Sequence, residues 1–159
     1  MVAFRIVLIG IVLPALAVFA MWAVPRAWAD LPAKVPSHWQ GTVATSFMPV
    51  ESMVSAWLVG AALVAVLTVA VSAAGLTKAG WANVNRAFAA IGVGATAAVA
   101  CSLLAQLATM RARTSAEAAS DGPGIGVLVL MGVFVVAGLL AFFALPRAGA
   151  AHPAEARTA

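Results

Sequence analysis

The sequence predicts an all-α, polytopic membrane protein, with four transmembrane helices in a bundle and a short extracytoplasmic loop domain after the first helix. Of the 159 residues, 64% are hydrophobic and only 9% are charged, whereas soluble domains are about half apolar and about a quarter charged. Four uncharged apolar stretches each have about 20 residues, the length that crosses about 30 Å of hydrocarbon. Charged residues or helix breakers separate these stretches, which sets the ends of the predicted helices.

The predicted spans contain no Asp, Glu, Lys, Arg or His, and they run over Ile6 to Val24, Met53 to Leu76, Ala87 to Ala108, and Gly124 to Leu145. Pro14 lies inside the first span, where it removes a backbone hydrogen bond and predicts a kink. This span is longer than the apolar part of a signal peptide, which has about 7 to 15 residues. We therefore expect residues 1–29 to be retained rather than cleaved.

The third span carries small or polar residues at every fourth position, and they form a helix-packing stripe of Ala90, Gly94, Ala98, Ser102 and Gln106. Residues four apart share one face of a helix. Small side chains on that face let a second helix approach closely, and polar ones offer it hydrogen bonds. The stripe is therefore interpreted as a seam between helices rather than as a ligand site.

The charges favour the lipid bilayer, and no nucleic acid, as a partner. The formal net charge is +4, but the nine Lys and Arg residues are scattered singly, whereas a nucleic-acid-binding domain clusters them on one face. Cytoplasmic loops of membrane proteins are enriched in Lys and Arg. The short second connection, 77–85, contains Lys78, with Arg86 beside it, and no acid. Both termini are therefore predicted to be cytoplasmic.

The segment between the first two spans, 30–41, reads DLPAKVPSHWQG. Pro32 and Pro36 restrict their own backbone and that of the preceding residues to extended conformations. Apolar residues alternate there with more polar ones, at Leu31, Val35 and Trp39. We therefore expect a constrained loop that presses its apolar side on the membrane surface or on the helices, while His38 points elsewhere.

This segment resembles a family of bacterial membrane proteins with a short domain of unknown function, in which Leu-Pro, Val-Pro and His-aromatic follow a first transmembrane helix. The matching residues are Leu31, Pro32, Val35, Pro36, His38 and Trp39, and the resemblance covers roughly the first third of the chain. The same domain begins the immunity proteins that protect cells from the sporulation-delaying toxin. The resemblance implies a bacterial cell membrane and a contact surface formed or shaped by these motif residues.

His38 is the residue of this segment that is best suited to metal binding or acid–base chemistry. Zinc sites normally take three or four protein ligands, whereas the plausible neighbours of His38 are Asp30 and Glu51. The other histidine, His152, lies in a tail predicted on the opposite side of the membrane. The serines near His38 have no triad-like context. We therefore predict no metal, no cofactor, no catalytic residue and no enzyme activity.

The predicted organisation is a first helix with the loop domain (1–52), three further helices (53–147) and a disordered tail (148–159). The leading functional hypothesis is a non-enzymatic membrane protein that binds a protein or peptide at the outer face of the cell envelope. The alternative is a subunit of a transporter or larger membrane complex, homo- or hetero-oligomeric, docked through the stripe. Proton-coupled transport is not expected, because no ionisable residue lies inside the spans.

Overall fold

A computed structural model describes residues 1–41, 43–77, 81–119, 122 and 124–148. The chain is mostly helical, and four helical segments are long and apolar enough to cross a membrane, namely Val2–Ala27, Val50–Ala74, Asn83–Thr109 and Gly124–Ala144. The predicted spans agree with these helices to within four residues at every end. For example, the first span is predicted to begin at Ile6, and the helix begins at Val2. The predicted disordered tail, 148–159, lies outside the described residues except for Ala148.

The first long helix consists of α1 (Val2–Val7), a π-helical segment (Leu8–Val12) and α2 (Leu13–Ala27). The N–H of Leu13 donates to the carbonyl of Leu8, five residues back. Pro14 has no N–H for the carbonyl of Gly10, and the helix widens to π-helical geometry in the turn before it. Gly10 itself packs against the helix Val50–Ala74, where a Cβ would collide with Ser72 Oγ.

The connection after the first long helix contains a β-hairpin, so the all-α prediction is wrong in this segment. Strands β1 (Lys34–Gln40) and β2 (Val43–Pro49) pair antiparallel, and the register is irregular between Pro36 and Trp39. Gly41 turns the chain with a φ of +66°, a conformation that glycine adopts readily. The extended backbone that the prolines favour is thus paired with a second strand, which satisfies its hydrogen-bonding groups.

The central helix is α4 (Asn83–Thr109), which packs against α2, α3 (Val50–Ala74) and α6 (Gly124–Ala144) and is the most buried of the long helices. Helix α6 packs mainly on α4 and leaves most of its apolar surface exposed. Helices α3 and α6 both contact α4 but hardly touch each other. A groove therefore runs along α4 between α3 and α6.

The ends of the helices define two sides of the molecule. The hairpin side holds β1, β2, the end of α4, the short helix α5 (Ser115–Ala118) and the start of α6. The opposite, terminal side holds Met1 and the ends of α3 and α6. Each side has its own cluster of buried apolar residues, which includes Val35 and Leu103 on the hairpin side and Ile6 and Leu145 on the terminal side.

A buried arginine fastens the end of α6 to the start of α4. Arg86 is only 7% exposed, its Nε donates to the carbonyl of Phe142 at 2.7 Å, and its guanidinium lies 4.1 Å from the centroid of the Phe142 ring. The residue four positions after Phe142 is Pro146, which has no N–H to offer that carbonyl. Arg86 supplies the missing donor, and its positive charge is favourable at the C-terminus of a helix. Trp81 Nε1 donates to the carbonyl of Pro146 at 2.7 Å.

Candidate functional site

The motif residues divide into an anchoring group and an outward-facing one. Four of them are buried or pack against the apolar cluster beneath the hairpin: Leu31, Pro32, Val35 and Pro36. Val35 is 0% exposed. Trp39 is half-buried and His38 is exposed. The motif therefore mainly holds β1 on the helices, and His38 is its outward-facing member.

The connection between α4 and α6 fastens the hairpin from a second direction. Nε of Arg111 donates to both carboxylate oxygens of Asp30, at 2.9 and 3.1 Å. The N–H of Ala112 donates to the carbonyl of Asp30 at 2.9 Å. Ser115 Oγ donates to the carbonyl of Lys34, the first residue of β1, at 2.8 Å. The hairpin is thus held both by the helices below it and by the connection between α4 and α6.

Two carboxylates in this region have lowered pKa values. The hydrogen bond from Arg111 is the main cause that lowers the pKa of Asp30, and partial removal from water opposes it. The pKa of Glu117 is lowered first by the backbone N–H of Thr114 and then by its hydroxyl. Thr114 Oγ1 accepts from the N–H of Glu117 in return, so the two residues form a capping box that begins α5.

We expect the Asp30 carboxyl to titrate below its ordinary pKa of 3.8 in a carbon-13 NMR titration, and Arg111→Ala to move that pKa back up. Because the pKa is lower in the folded state than in the unfolded state, ionised Asp30 stabilises the hairpin side fully above about pH 4. This contribution is lost as the pH falls through the folded-state pKa. Glu117 is the internal control, since its pKa should stay low in the same variant. An unchanged Asp30 pKa would contradict the contact.

A cavity of about 170 Å³ lies beneath the hairpin, where β1 meets three long helices. Its wall brings the motif residue Trp39 together with Ser102 and Gln106, the last two members of the helix-packing stripe. The rest of the wall is largely apolar and includes Met53, Trp57, Leu103, Val127 and Leu130. The two features that the sequence presents separately, the motif and the stripe, therefore meet at one place.

The polar side chains that line this cavity differ in how well they are hydrogen-bonded. Trp39 Nε1 is buried and has no hydrogen-bond partner among the described residues. Ser102 Oγ donates to the carbonyl of Gly126 at 2.7 Å, while Gln106 Nε2 reaches the carbonyl of Gly122 only at 3.5 Å. An indole N–H can only donate, and leaving a buried donor unpaired costs about 1–3 kcal/mol. The Trp39 indole is therefore a buried donor without an acceptor among the described residues.

The helix-packing stripe faces α6. A Cβ on Gly94 would lie 2.8 Å from the carbonyl oxygen of Phe134 and 3.0 Å from the backbone of Gly138. The stripe residues Ala90, Ala98 and Ser102 are buried. Because α6 of the same chain covers this face, another subunit would have to displace α6 in order to dock on it.

His38 lies on an exposed surface with no metal-ligating cluster: the described residues contain no group of three His, Cys, Asp or Glu side chains placed to hold a metal. His152 lies outside the described residues. Beside His38 on the hairpin, Val43 and Phe47 of β2 are 65% and 43% exposed. Sequence reasoning missed β2, although Val43, Thr45 and Phe47 alternate with other residues as in a strand.

The chain matches no protein-family model, no curated protein and no solved structure. The geometry of the hairpin and of the cavity is therefore the basis for assigning a function. Several residues of the two strands are exposed, and we call the following ones the hairpin surface: Lys34, His38, Gln40, Val43, Ser46 and Phe47.

Proposed function

We propose that this chain is a multi-pass protein of the bacterial cytoplasmic membrane whose hairpin surface binds a protein or peptide partner at the outer face. In this proposal four transmembrane helices form a bundle, both termini are cytoplasmic and the role is immunity-like rather than enzymatic. The four apolar helices support the membrane location. The resemblance of Leu31 to Trp39 to the immunity-protein domain supports the kind of partner.

The contrast between the two faces of the hairpin carries the proposal. On the inner face, Val35 is buried and pairs with Met48, which packs against the same apolar cluster. On the hairpin surface, by contrast, Val43 is largely exposed and Phe47 is partly exposed, although Pro36, the strand partner of Phe47, is buried. His38 pairs with Ser46 and is also exposed. A firmly held sheet that displays an aromatic and an aliphatic side chain among polar ones offers the combination of apolar anchors and polar surroundings that protein interfaces use.

The free edge of β2 offers a mode of peptide binding. Within the described residues the sheet has two strands, so β2 pairs with β1 on one edge only. Its other edge carries backbone donors and acceptors to which an extended peptide can add as a third strand. In that arrangement the backbone of the peptide supplies affinity, and neighbouring side chains such as Phe47 supply selectivity.

The contacts around His38 support a binding role more than a catalytic one. A catalytic site needs a nucleophile held beside a base. The nearby hydroxyls of Ser37 and Ser46 are hydrogen-bonded to each other at 2.8 Å. The alternative, a subunit of a transporter or larger complex, receives less support, because α6 covers the stripe that such a subunit would use.

Photo-crosslinking in living cells tests the proposed binding. A photoreactive residue at His38 is expected to capture a specific protein or peptide, whereas one at Ala116, which is exposed on α5 of the same side, is expected to capture none. Phe47→Ala should lower the yield from His38 at least about fivefold, because truncating an aromatic anchor of an interface costs more than about 1 kcal/mol.

The matched control for Phe47→Ala is Phe88→Ala, which removes a similarly exposed phenyl ring near the terminal side. This control should leave the yield from His38 unchanged. Equal capture from His38 and Ala116, or no capture from His38, would contradict the proposed function. An equal loss in both Phe variants would attribute the effect of Phe47 to contact with the membrane instead.

A further inference from the structure

We propose that a cleft between the end of α2 and the start of α3 binds the headgroup of a phospholipid that carries a primary ammonium, such as phosphatidylethanolamine. In this site Arg26 donates to the phosphate, and Glu51 accepts from the ammonium. The site is separate from the hairpin surface and from the cavity beneath the hairpin, and it does not depend on the proposed protein partner. The size of the cleft, its two charges and its level along the helices support a lipid headgroup.

The cleft has the size and the mixed lining of a small-molecule site. Its volume is about 560 Å³, within the range of about 300–1,000 Å³ that is common for such sites. The polar residues that line it are Arg26, Glu51 and Ser55, and the others are Pro25, Trp28, Leu31, Val50 and Val54. Unlike a purely apolar groove, this cleft therefore offers a ligand both charged and apolar contacts.

The cleft is lined by two opposite charges that do not pair with each other. Among the described residues, neither Arg26 nor Glu51 forms an ion pair, and the Glu51 carboxylate accepts no hydrogen bond. Glu51 lies in the first turn of α3, where the helix dipole favours a negative charge. A ligand that carries a positive and a negative group on a short link can therefore pair with both residues at once.

The guanidinium of Arg26 is held in place by Trp22, one helical turn before it. Nη1 of Arg26 donates to the carbonyl of Trp22 at 2.7 Å, and the guanidinium lies 4.8 Å from the centroid of the Trp22 ring. The stacking takes up a face of the guanidinium, whereas its N–H groups lie along its edge and most of them remain available. Because paired N–H groups of arginine match the oxygens of a phosphate, Arg26 is a preorganised phosphate donor.

The cleft lies at the level where two of the apolar helices end. Its lining comes from the last turn of α2, the first turns of α3 and the chain just after α2, and lipid headgroups lie just outside the hydrocarbon layer. One turn further into each helix, an exposed apolar side chain follows on the same face. These are Trp22, four residues before Arg26 and 48% exposed, and Val59, four residues after Ser55 and 62% exposed. The acyl chains of a lipid bound in the cleft can follow these faces.

The first test titrates the unaltered full chain in detergent with phosphatidylethanolamine or with phosphatidylcholine of the same acyl chains, and native mass spectrometry measures the binding of one lipid. Phosphatidylethanolamine should bind about tenfold more tightly, because its ammonium can donate to Glu51 whereas the methylated choline nitrogen cannot. Soluble glycerophosphoethanolamine, which has the same headgroup without acyl chains, should not displace the lipid at equal concentration. Equal binding of the two lipids, or displacement by the soluble headgroup, would overturn the proposal.

Two substitutions separate the contributions of the two charges. Glu51→Gln should remove the preference between the lipids by lowering the affinity for phosphatidylethanolamine to that for phosphatidylcholine. Arg26→Met should weaken the binding of both lipids about tenfold, because both carry the phosphate. Arg147→Met is its matched control, since Arg147 is exposed near the terminal side and does not line the cleft. A preference that survives in Glu51→Gln would contradict the proposal, as would an equal loss in the two Arg variants.

A third substitution fills the cleft. Ser55→Trp should abolish the binding of the lipid, whereas Ala56→Trp should preserve it, because Ala56 is the next exposed residue of α3 and does not line the cleft. Unchanged binding in Ser55→Trp would overturn the proposal. The comparison of the two lipids uses the unaltered chain, so it decides the question even if a variant fails to fold. Failure of these tests leaves crosslinking from His38 unaffected, because the cleft and the hairpin surface share no residue.

Discussion

Replacing Gly94 by Leu is expected to separate α6 from α4 and to lower the free energy of unfolding by about 3 kcal/mol or more, at the upper end of the cost of overpacking. Even a Cβ at this position would lie 2.8 Å from the carbonyl oxygen of Phe134 and 3.0 Å from the backbone of Gly138. Backbone atoms cannot rotate away as the end of a flexible side chain can. The two helices must therefore move apart, and α6 loses its main packing partner.

The measurement is denaturant-induced unfolding of the detergent-solubilised chain, followed by circular dichroism. Gly132→Leu is the matched control, because a Cβ at Gly132 meets no atom within 4 Å. It should leave the stability nearly unchanged or raise it slightly, since Gly is a poor helix former. If the Gly94 and Gly132 variants were equally stable, the close approach of α4 and α6 at Gly94 would be wrong.

Replacing Arg86 by Met is expected to lower the free energy of unfolding by about 2–4 kcal/mol. The carbonyl of Phe142 then loses the donor that Arg86 provides, and a buried acceptor left unpaired costs about 1–3 kcal/mol. The cation–π contact with the Phe142 ring contributes about 1 kcal/mol more. Met keeps much of the length and apolar volume of the side chain, so the loss reports mainly on the polar contacts.

A second substitution separates the contribution of the hydrogen bond to the Phe142 carbonyl from that of the other contacts of Arg86. Pro146→Ala supplies the backbone N–H that Phe142 lacks four residues later. In the Arg86→Met background this change should restore about 1 kcal/mol or more. In the unaltered background, where Arg86 already satisfies the carbonyl, it should have a smaller effect. An equal effect of Pro146→Ala in both backgrounds would show that the Phe142 carbonyl is not the reason that Arg86 matters.

The long helices could be predicted because their signal is local. Each needs only an apolar run of sufficient length, which the sequence shows directly. The predicted first span stops short at both ends, because it excludes Arg5 and Arg26 although both lie within the helix. Long basic side chains reach toward water while their backbone stays helical, so charge marks the edge of the hydrocarbon more closely than the end of the helix.

The hairpin was only half predictable. Pro32 and Pro36 indicate an extended backbone, but nothing in their own segment identifies β2 as its partner. The turn at Gly41 has neither the Asn-Gly nor the Asp-Gly pair that most strongly signals a hairpin. Arg111 holds the hairpin through Asp30, which lies 81 positions away along the chain. A single sequence gives no signal that pairs such distant residues.

The cavity was predictable in part. Since successive spans run in opposite directions, the end of the third span must lie on the same side as the loop after the first. The order of the spans alone therefore places Gln106 and Ser102 toward the side that holds Trp39. The unpaired indole and the gap between α3 and α6 depend on packing details, which periodicity in the sequence does not determine.

The distance along the chain between Asp30 and Arg111 sets an order of assembly during biosynthesis. The hairpin emerges early, but its ion-pair partner follows α4, so that contact forms only after the third long helix has been synthesised. A nascent chain that ends before Asn83 lacks both α4 and Arg111, and we expect proteases to cleave its hairpin faster than in a chain arrested just beyond α5. The surface that would meet a partner is thus completed late, when most of the protein that holds it already exists.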